Sequence, residues 1–226
     1  MLLHSSLASI SGFNIFDRFN SGINEIIETS KTPQQSTHPN DQIIRYFYAM
    51  IGGMSKGEMV DVLDANGEVI GTMPRKQAEQ HNHMTANVIL FVFNAAKEVW
   101  LQKRPMSKDH YPGLWDASAC GSIKSGETPL EAMQREQSEE MGFVSNFVLV
   151  DEFVNTFPDE TGTYMRTRLS YLFVGESEEI PQTGPEVDEF VARDYMEQCR
   201  LIADNPEQYV PSLLLELQKA SEAYFS

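Results

Sequence analysis

Four charged residues in one short segment have the types and the spacing to hold a divalent cation beside a phosphate chain. Residues 135–140 read Arg-Glu-Gln-Ser-Glu-Glu. In a helix, spacings of three and four residues bring Glu136, Glu139 and Glu140 onto one face, where their charges repel one another. A hard cation such as Mg²⁺ prefers carboxylate oxygens and completes its shell with phosphate and water. The segment therefore indicates metal-assisted phosphate chemistry, and the alternative is an acidic helix face that is only solvated.

A helix and the loop before it must position these carboxylates. Thr128 is a good N-cap, Pro129 suits the first helical position, and Glu131 completes a Thr-x-x-Glu capping box. Gly142 suits the left-handed position just past the helix end. The pattern therefore predicts a helix between Thr128 and Gly142. Gln137 falls on its apolar face, where the amide must find hydrogen-bond partners or incur the cost of burial.

The wider pattern from Gly121 to Phe143 resembles the Nudix box. It runs Gly, five residues, Glu, seven residues, Arg-Glu, two residues, Glu-Glu, one residue, Gly and an apolar residue. Gln137 departs from the pattern, since the family usually has Leu, Ile or Val there. The resemblance implies an α/β fold, a Nudix-type α/β/α sandwich with a mixed β-sheet. It also implies hydrolysis of a diphosphate bond in a nucleoside diphosphate derivative or similar X–P–P–Y substrate, with Mg²⁺ as cofactor and Mn²⁺ as a substitute.

The same resemblance assigns roles to residues within and beyond the box. The implied metal ligands are Glu136 and Glu140, assisted by Glu139 and by a backbone carbonyl of Cys120 or Gly121. The implied catalytic residues are Glu136, Arg135, Glu139 and Glu189. Arg135 would orient Glu136 through a charge-assisted contact, and Glu127 would brace the loop or join the outer shell. Glu189, or Glu186 near it, would supply the further carboxylate that many Nudix enzymes recruit from a late loop.

Residues from about 58 to 220 resemble the Nudix branch of type 1 isopentenyl-diphosphate isomerases. The similar segments are Gln102-Lys-Arg-Pro-Met-Ser-Lys108, Tyr111-Pro-Gly-Leu-Trp115 and Ser118-Ala-Cys-Gly121. In those enzymes an arginine and a lysine spaced like Arg104 and Lys108 hold a diphosphate. This pair, together with Lys103, is therefore predicted to bind substrate. A cysteine placed like Cys120 is the catalytic residue of the isomerases.

Three departures separate this chain from the isomerases. Ser122 stands where they have a metal-binding histidine, and Arg166 and Arg168 align roughly with two glutamate ligands. Arginine cannot ligate Mg²⁺ and stays charged. Hydrolysis is therefore the favoured prediction. The alternatives are an isopentenyl-diphosphate delta-isomerase that uses Cys120, and a catalytically silent Nudix-fold binding module.

Composition limits the remaining classes of function. The chain has 226 residues, 41% of them hydrophobic, which suits one sizeable domain with appendages. A net charge of −16 disfavours nucleic acid and anionic membranes, but not a small-molecule diphosphate held by metal ions and local cations. The two cysteines have no metal-like spacing, and no apolar run reaches transmembrane length. These features predict a cytoplasmic protein without a membrane or nucleic-acid partner, and they leave a homodimer open.

We divide the chain into an N-terminal extension and linker, residues 1–57, and a Nudix domain, residues 58–226. Residues 29–42 are polar and rich in turn-forming residues, and residues 1–57 contain no catalytic constellation, so we expect this extension to be dispensable for chemistry. Within the domain the pattern predicts a hairpin around Asn66-Gly67 and a C-terminal helix from about Pro211 to Tyr224. Further strands are predicted at 87–93, 98–104, 147–154, 167–174 and 190–192.

Overall fold

The computed structural model of the protein describes residues 57–226. The expectations for residues 1–56 lie outside the described residues. Strands β1 (Met59–Leu63) and β2 (Val69–Pro74) pair antiparallel and form the predicted hairpin. In its turn Gly67 has a φ of 84°, and the Asp64 carboxylate accepts a hydrogen bond from the Asn66 backbone N–H. A short helix, α1 (Arg75–Gln80), follows the hairpin.

A mixed β-sheet forms the centre of the described domain. Its strands are β3 (Thr85–Phe93), β4 (Glu98–Lys103), β5 (Trp115–Asp116), β6 (Ala119–Ser122), β7 (Asn146–Pro158), β8 (Met165–Glu176) and β9 (Glu189–Asp194). The strand order is β5-β4-β3-β8-β7, with β6 paired to β3 and β9 paired to β4. β3 and β8 run parallel, whereas the other pairs are antiparallel. The predicted mixed sheet is thereby confirmed.

Helices cover both faces of this sheet. They are α2 (Pro129–Met141), α3 (Tyr195–Asp204) and α4 (Leu213–Tyr224), with a 3₁₀ turn at Pro206–Gln208. Successive side chains of a strand point to opposite faces, so β3 contributes to two separate cores. Val88 and Leu90 pack in the core of α2, whereas Phe91 and Phe93 pack in the core of α4. This arrangement confirms the α/β/α sandwich. Within residues 57–226, no helix is long and apolar enough to cross a membrane.

Helix α2 begins and ends where the sequence predicts. The Thr128 hydroxyl accepts a hydrogen bond from the Glu131 backbone N–H, and the Glu131 carboxylate accepts one from the Thr128 N–H, which completes the capping box. Gly142 closes the helix in the left-handed conformation with a φ of 81°. The buried Gln137 amide donates to the Ser145 hydroxyl at 2.8 Å and accepts from the Ser145 N–H at 3.1 Å. These bonds offset the cost of burying Gln137.

Several elements were not predicted from the sequence. Helices α1 and α3 and the short strands β5 and β6 have no counterpart among the sequence expectations. α1 has six residues and no side-chain cap, so it carries little of the usual helix signal. Strand β7 runs on to Pro158 and β8 begins at Met165, which makes their hairpin longer than the predicted segments. Pairing with the neighbouring strand, more than local propensity, sets these ends.

Candidate active site

Two of the three predicted carboxylates of α2 line a cavity of about 600 Å³, whereas the third, Glu140, does not. Glu136 and Glu139 line this cavity together with Cys120 and Gly121 of β6. The basic residues that line it are Arg75, Arg104, Lys108, His110, Lys124, Arg135, Arg166 and Arg168. A concave site that combines carboxylates with this many cations suits a phosphorylated ligand held partly through metal ions.

Glu136 lies against the main chain of β6 because position 121 has no side chain. A Cβ atom at Gly121 would overlap the Glu136 carboxylate. Gly121 does not have a positive φ, and its backbone is fixed by pairing with Val88 of β3. Glycine is therefore required here for close approach and not for an unusual backbone conformation.

Glu140, one helical turn further on, is turned into the protein and is 3% exposed. Its Oε2 accepts hydrogen bonds from the Gln102 side-chain amide at 2.7 Å and from the Cys120 N–H at 2.9 Å. Its Oε1 lies 3.6 Å from the Lys108 ammonium group. These contacts fix one carboxylate oxygen and leave the other facing a cation.

Burial raises the pKa of both carboxyl groups. Loss of hydration raises the pKa of Glu136 to about 7, although Arg135 opposes the shift. Loss of hydration, followed by repulsion from Glu136, raises the pKa of Glu140 to about 8. Two neighbouring carboxyl groups that ionise with difficulty form a site whose charged state a divalent cation would stabilise.

Arg135 ties the helix to the loop before it. Its Nε and Nη2 each lie 2.8 Å from an oxygen of Glu127, which is a bidentate ion pair. Its Nη2 also donates to the Ser122 carbonyl at 3.1 Å, and its Nη1 donates to Glu136 at 2.6 Å. Glu127 in turn accepts a hydrogen bond from the Lys124 N–H. Arg135 and Glu127 thus make the contacts that an orienting role and a bracing role require.

The surroundings of Glu136 and Glu140 fit a hard cation that takes most of its ligands from elsewhere. Glu139 is half exposed, and its carboxylate lies 3.3 Å from Arg135. Within residues 57–226, no three His, Cys, Asp or Glu side chains are grouped so that they could hold a metal ion. Mg²⁺ commonly uses one or two carboxylates and takes its other ligands from phosphate and water. Two buried carboxyl groups beside the space left by Gly121 agree with that pattern.

Arg104 and Lys108, two of the predicted substrate-binding residues, both line the cavity. The Arg104 Nη1 donates to Asp116 at 2.8 Å. The Lys108 ammonium group lies 2.6 Å from Glu186 and 3.6 Å from Glu140. Both cations therefore lie close to the carboxylate site, where a diphosphate could replace their present carboxylate partners.

Lys103 and Glu189, the other predicted residues outside the box, do not line the cavity. They face each other in the β4–β9 pair, and the Lys103 ammonium group lies 3.9 Å from the Glu189 carboxylate. Lys103 also lies over the Trp115 ring, 5.6 Å from its centroid. Glu186, the second acidic residue considered from the sequence, does line the cavity. Strand pairing thus brings Lys103 and Glu189 to each other and not to the candidate site.

The Cys120 thiol lies between a carboxylate and a guanidinium group. Its Sγ donates to Asp116 at 3.2 Å and lies 3.9 Å from the Arg104 Nη1. Burial, followed by the negative charges of Asp116 and Glu140, raises the pKa of this thiol well above its usual value. Cys120 is therefore a protonated thiol at neutral pH and not a nucleophilic thiolate.

Sequence analysis missed several residues that line the cavity. Arg166 and Arg168 of β8 line it, although the sequence suggested them only as replacements for metal ligands. His110 and the buried Glu216 also line it, and loss of hydration raises the pKa of Glu216 to about 8. Glu79 of α1, 3% exposed, binds both Arg168 and His110. The alternation along β8, which places residues 166 and 168 on one face, was the available signal.

Comparison with known proteins identifies a family. A sequence model described as the NUDIX domain matches residues 82–212. An isopentenyl-diphosphate delta-isomerase of Serratia proteamaculans is 32% identical over 130 residues, which cover 57% of this chain and 72% of the relative. An uncharacterized Nudix hydrolase of Pseudomonas aeruginosa is 31% identical over 108 residues, which cover 48% of this chain and 63% of the relative. The relatives carry the names of both activities that the sequence suggests.

Solved structures share the fold. The crystal structure of DR0079 from Deinococcus radiodurans matches with a TM-score of 0.62 at 21% identity, covering 72% of this chain and 99% of that one. A MutT protein from Methanosarcina mazei matches with a TM-score of 0.52 at 16% identity, covering 63% of this chain and 96% of that one. At these identities the similarity concerns the fold alone, so the activity must be argued from the site.

Proposed function

This chain belongs to the Nudix family, and from that premise we propose that it is a Mg²⁺-dependent hydrolase of a diphosphate bond in an X–P–P–Y substrate. The observation that carries the proposal is the pair of buried carboxyl groups on α2: Glu136 lies against the Gly121 main chain, and Glu140 accepts a hydrogen bond from the Cys120 N–H. Arg104 and Lys108 line the cavity that Glu136 lines and suit the phosphates of such a substrate.

The chain's own residues prepare this reaction. Bound at Glu136 and Glu140, with a carbonyl of β6, Mg²⁺ or Mn²⁺ would neutralise phosphate charge and lower the pKa of the attacking water. Arg135 holds the Glu136 carboxylate in place through its 2.6 Å contact. The Gln102 amide fixes Glu140 at 2.7 Å. Because these supporting groups are buried or tied to the main chain, the carboxylates need little rearrangement when the substrate arrives.

Release of phosphate or of a nucleotide from a defined panel tests this function directly. The panel contains nucleoside di- and triphosphates, nucleotide sugars, dinucleotides and isoprenyl diphosphates, each assayed with Mg²⁺ and with EDTA. We expect at least one member to be cleaved at its diphosphate bond only when the metal is present. A folded protein that cleaves none of them, or that cleaves equally in EDTA, contradicts the proposal.

We propose Glu186, rather than Glu189, as the late carboxylate that accepts a proton from the attacking water. It lines the cavity, and its hydrogen bond to Lys108 lowers its pKa, so it is ionised at neutral pH. We expect Glu186→Gln to reduce kcat by about 10²-fold, a usual size for the loss of a general base, and to remove the acidic limb of the pH–rate profile. Glu189→Gln is the matched control, because Glu189 does not line the cavity, and it should retain both kcat and the limb. The reverse result would place the base at Glu189.

A second candidate function is isomerisation of isopentenyl diphosphate, favoured by one specific observation. Cys120 lines the cavity as a protonated thiol, and Arg104 and Lys108 line the same cavity and could hold the diphosphate. Against it, Ser122 stands where the isomerases have a metal-binding histidine, and Arg166 and Arg168 align roughly with two of their glutamate ligands.

Replacement of Cys120 separates the two candidates. For a hydrolase we expect Cys120→Ala to keep Mg²⁺-dependent cleavage within several-fold of wild type, because only the Cys120 backbone N–H contacts Glu140. For an isomerase the thiol is indispensable. Conversion of isopentenyl to dimethylallyl diphosphate by the wild type, abolished in Cys120→Ala, would overturn the hydrolase assignment. Mere binding of isopentenyl diphosphate does not discriminate, since Arg104 and Lys108 suit any diphosphate.

A further inference from the structure

Arg166 and Arg168 form a cationic wall of the cavity that the proposed hydrolysis does not use. They lie two residues apart on β8, so their side chains leave the same face of the strand. Both line the cavity, and Arg166 is 3% exposed. Arginines are almost never this buried unless something pairs with them.

The partners that these arginines have do not satisfy them. Arg168 donates to Glu79 at 2.8 Å, and Arg166 donates to Glu160 at 3.4 Å, near the upper limit for a hydrogen bond. Among residues 57–226, the buried Nε atoms of Arg166 and Arg168 have no hydrogen-bond partner. A buried charged donor left without a partner is costly. The wall therefore has unused donors.

The guanidinium groups around the wall are matched by an equal number of carboxylates. Arg75, Arg166 and Arg168 contribute three positive charges, and Glu58, Glu79 and Glu160 contribute three negative ones. What distinguishes the wall is therefore its unpaired donors and not an excess of charge.

The cationic neighbours of Glu79 keep this carboxyl group in its charged form. Its desolvation would raise the pKa, but the His110 hydrogen bond and the charge of Arg168 lower it to about 2. The carboxylate therefore stays ionised and is already shared between His110 and Arg168. An additional anion would meet guanidinium donors that Glu79 leaves free.

The strand that carries the wall is separated from β6 by β3 in the sheet. Ser122 of β6 pairs with Asn87 of β3, which in turn pairs with Ser170 of β8. Neighbouring strands lie about 4.8 Å apart, so β8 is roughly 10 Å from β6 across the sheet. Arg168 is two residues from Ser170, or about 7 Å further along the strand. The backbones of Gly121 and Arg168 are thus separated by more than the width of one phosphate group.

We infer that Arg166 and Arg168 bind a phosphomonoester of the substrate, carried on the X group outside the scissile diphosphate. The inference rests on the proposed diphosphate hydrolysis for the identity of the substrate. A phosphomonoester carries about 1.5 to 2 negative charges and three terminal oxygens, which matches two guanidinium groups with free donors. A carboxylate has fewer oxygens and half that charge, so it would leave part of the wall unpaired.

Paired ligands that differ by one phosphomonoester test this inference. NADP⁺ with NAD⁺, and coenzyme A with dephospho-coenzyme A, share a diphosphate within each pair. UDP-glucuronate with UDP-glucose is the corresponding carboxylate pair. For each ligand, kcat/KM is measured with Mg²⁺, and Kd is measured by calorimetry in EDTA. We expect the phosphorylated member of at least one pair to be favoured by about tenfold or more in both measurements, as charge-assisted hydrogen bonds allow.

Two variants assign any preference to the wall. Arg166→Lys keeps the charge and removes the planar fork. Glu79→Gln combined with Arg168→Gln removes the 2.8 Å ion pair as a unit, while Arg75 keeps Glu58 and His110 keeps Glu160 as partners. Both variants should abolish the preference for the phosphorylated ligand. For the unphosphorylated ligand they should keep kcat/KM and Kd close to the wild-type values. Arg200→Gln, exposed on α3, is the control for loss of one positive charge and should keep the preference.

The outcomes separate the inference from the proposed function. Cleavage of both members of every pair at equal rates, or a preference that survives both variants, overturns the inference and leaves hydrolysis standing. Variants that weaken both members equally would show that the arginines bind the shared diphosphate, and a preference confined to the carboxylate pair would also overturn the inference. A phosphate-dependent difference in Kd without cleavage of any ligand supports the subsite and contradicts hydrolysis.

Discussion

Replacing Glu136 or Glu140 by glutamine should reduce kcat by about 10³-fold, which corresponds to roughly 4 kcal/mol of lost transition-state stabilisation. Glutamine keeps the shape of the side chain but removes the charge that would hold a divalent cation. Glu136 and Glu140 are the two carboxyl groups of α2 that are turned into the protein, so neither can be replaced by a neighbour. The measurement is steady-state turnover of the best panel substrate at saturating Mg²⁺. Turnover close to wild type in either variant would remove the metal assignment.

Stability of the metal-free variants provides the control. The pKa of Glu140 is raised from 4.5 to about 8, so the folded protein binds this proton more tightly than the unfolded chain. The free energy of unfolding in EDTA should therefore fall as the pH rises from about 4.5 to 8. Glu140→Gln cannot ionise and loses the part of that decline that Glu140 causes, whereas Glu136, whose pKa is raised to about 7, still contributes its own part. At pH 8 this variant should therefore melt no lower than the wild type. A variant that is inactive because it is unfolded would instead melt earlier.

Gly121→Ala should also remove most activity, by about 10²-fold or more, without altering any charge. The added Cβ would overlap the Glu136 carboxylate, which must then turn away from β6. The backbone at Gly121 has no positive φ, so alanine introduces no conformational strain there and the effect is steric. Turnover and the melting temperature should both be measured, since overpacking usually costs about 1–3 kcal/mol of stability.

Gly184→Ala is the matched control for this substitution. A Cβ atom at Gly184 would meet nothing within 4 Å, and its backbone likewise has no positive φ. It should keep wild-type turnover and stability. Equal activity of Gly121→Ala and Gly184→Ala would mean that the Glu136 carboxylate does not need its position against β6.

The carboxylate helix could be predicted in full because its signals are local. Thr128, Glu131 and Gly142 mark its ends through contacts within a few residues, and the structure has each contact. The position of Gln137 on the apolar face also predicted that its amide needs hydrogen-bond partners. The helix alone did not identify Ser145 as that partner. Periodicity likewise identified β3 and the C-terminal helix. Features that depend on short-range geometry could therefore be predicted from the sequence.

The rest of the candidate site depends on contacts between distant segments. Arg168 meets Glu79, 89 residues earlier in the chain, and Lys108 meets Glu186, 78 residues later. No local pattern encodes such pairs. The family resemblance that suggested Lys103 as a substrate contact could not show that β9 pairs there and brings Glu189 beside it. Tertiary pairing decided which of these polar residues reach the cavity.

The hydrogen bonds of Arg135 limit how much the connection between β6 and α2 can vary in length. Arg135 binds Ser122 at the end of β6 and Glu127 just before the helix, so both ends of a five-residue separation are fixed to one side chain. One inserted residue can displace the chain by about 3.3–3.6 Å, which exceeds the tolerance of a hydrogen bond. Within the segment, Gly126 has a φ of 85°, which favours glycine, so the turn itself also fixes the path of the chain. Relatives that keep the reaction should therefore hardly ever carry insertions or deletions in this connection.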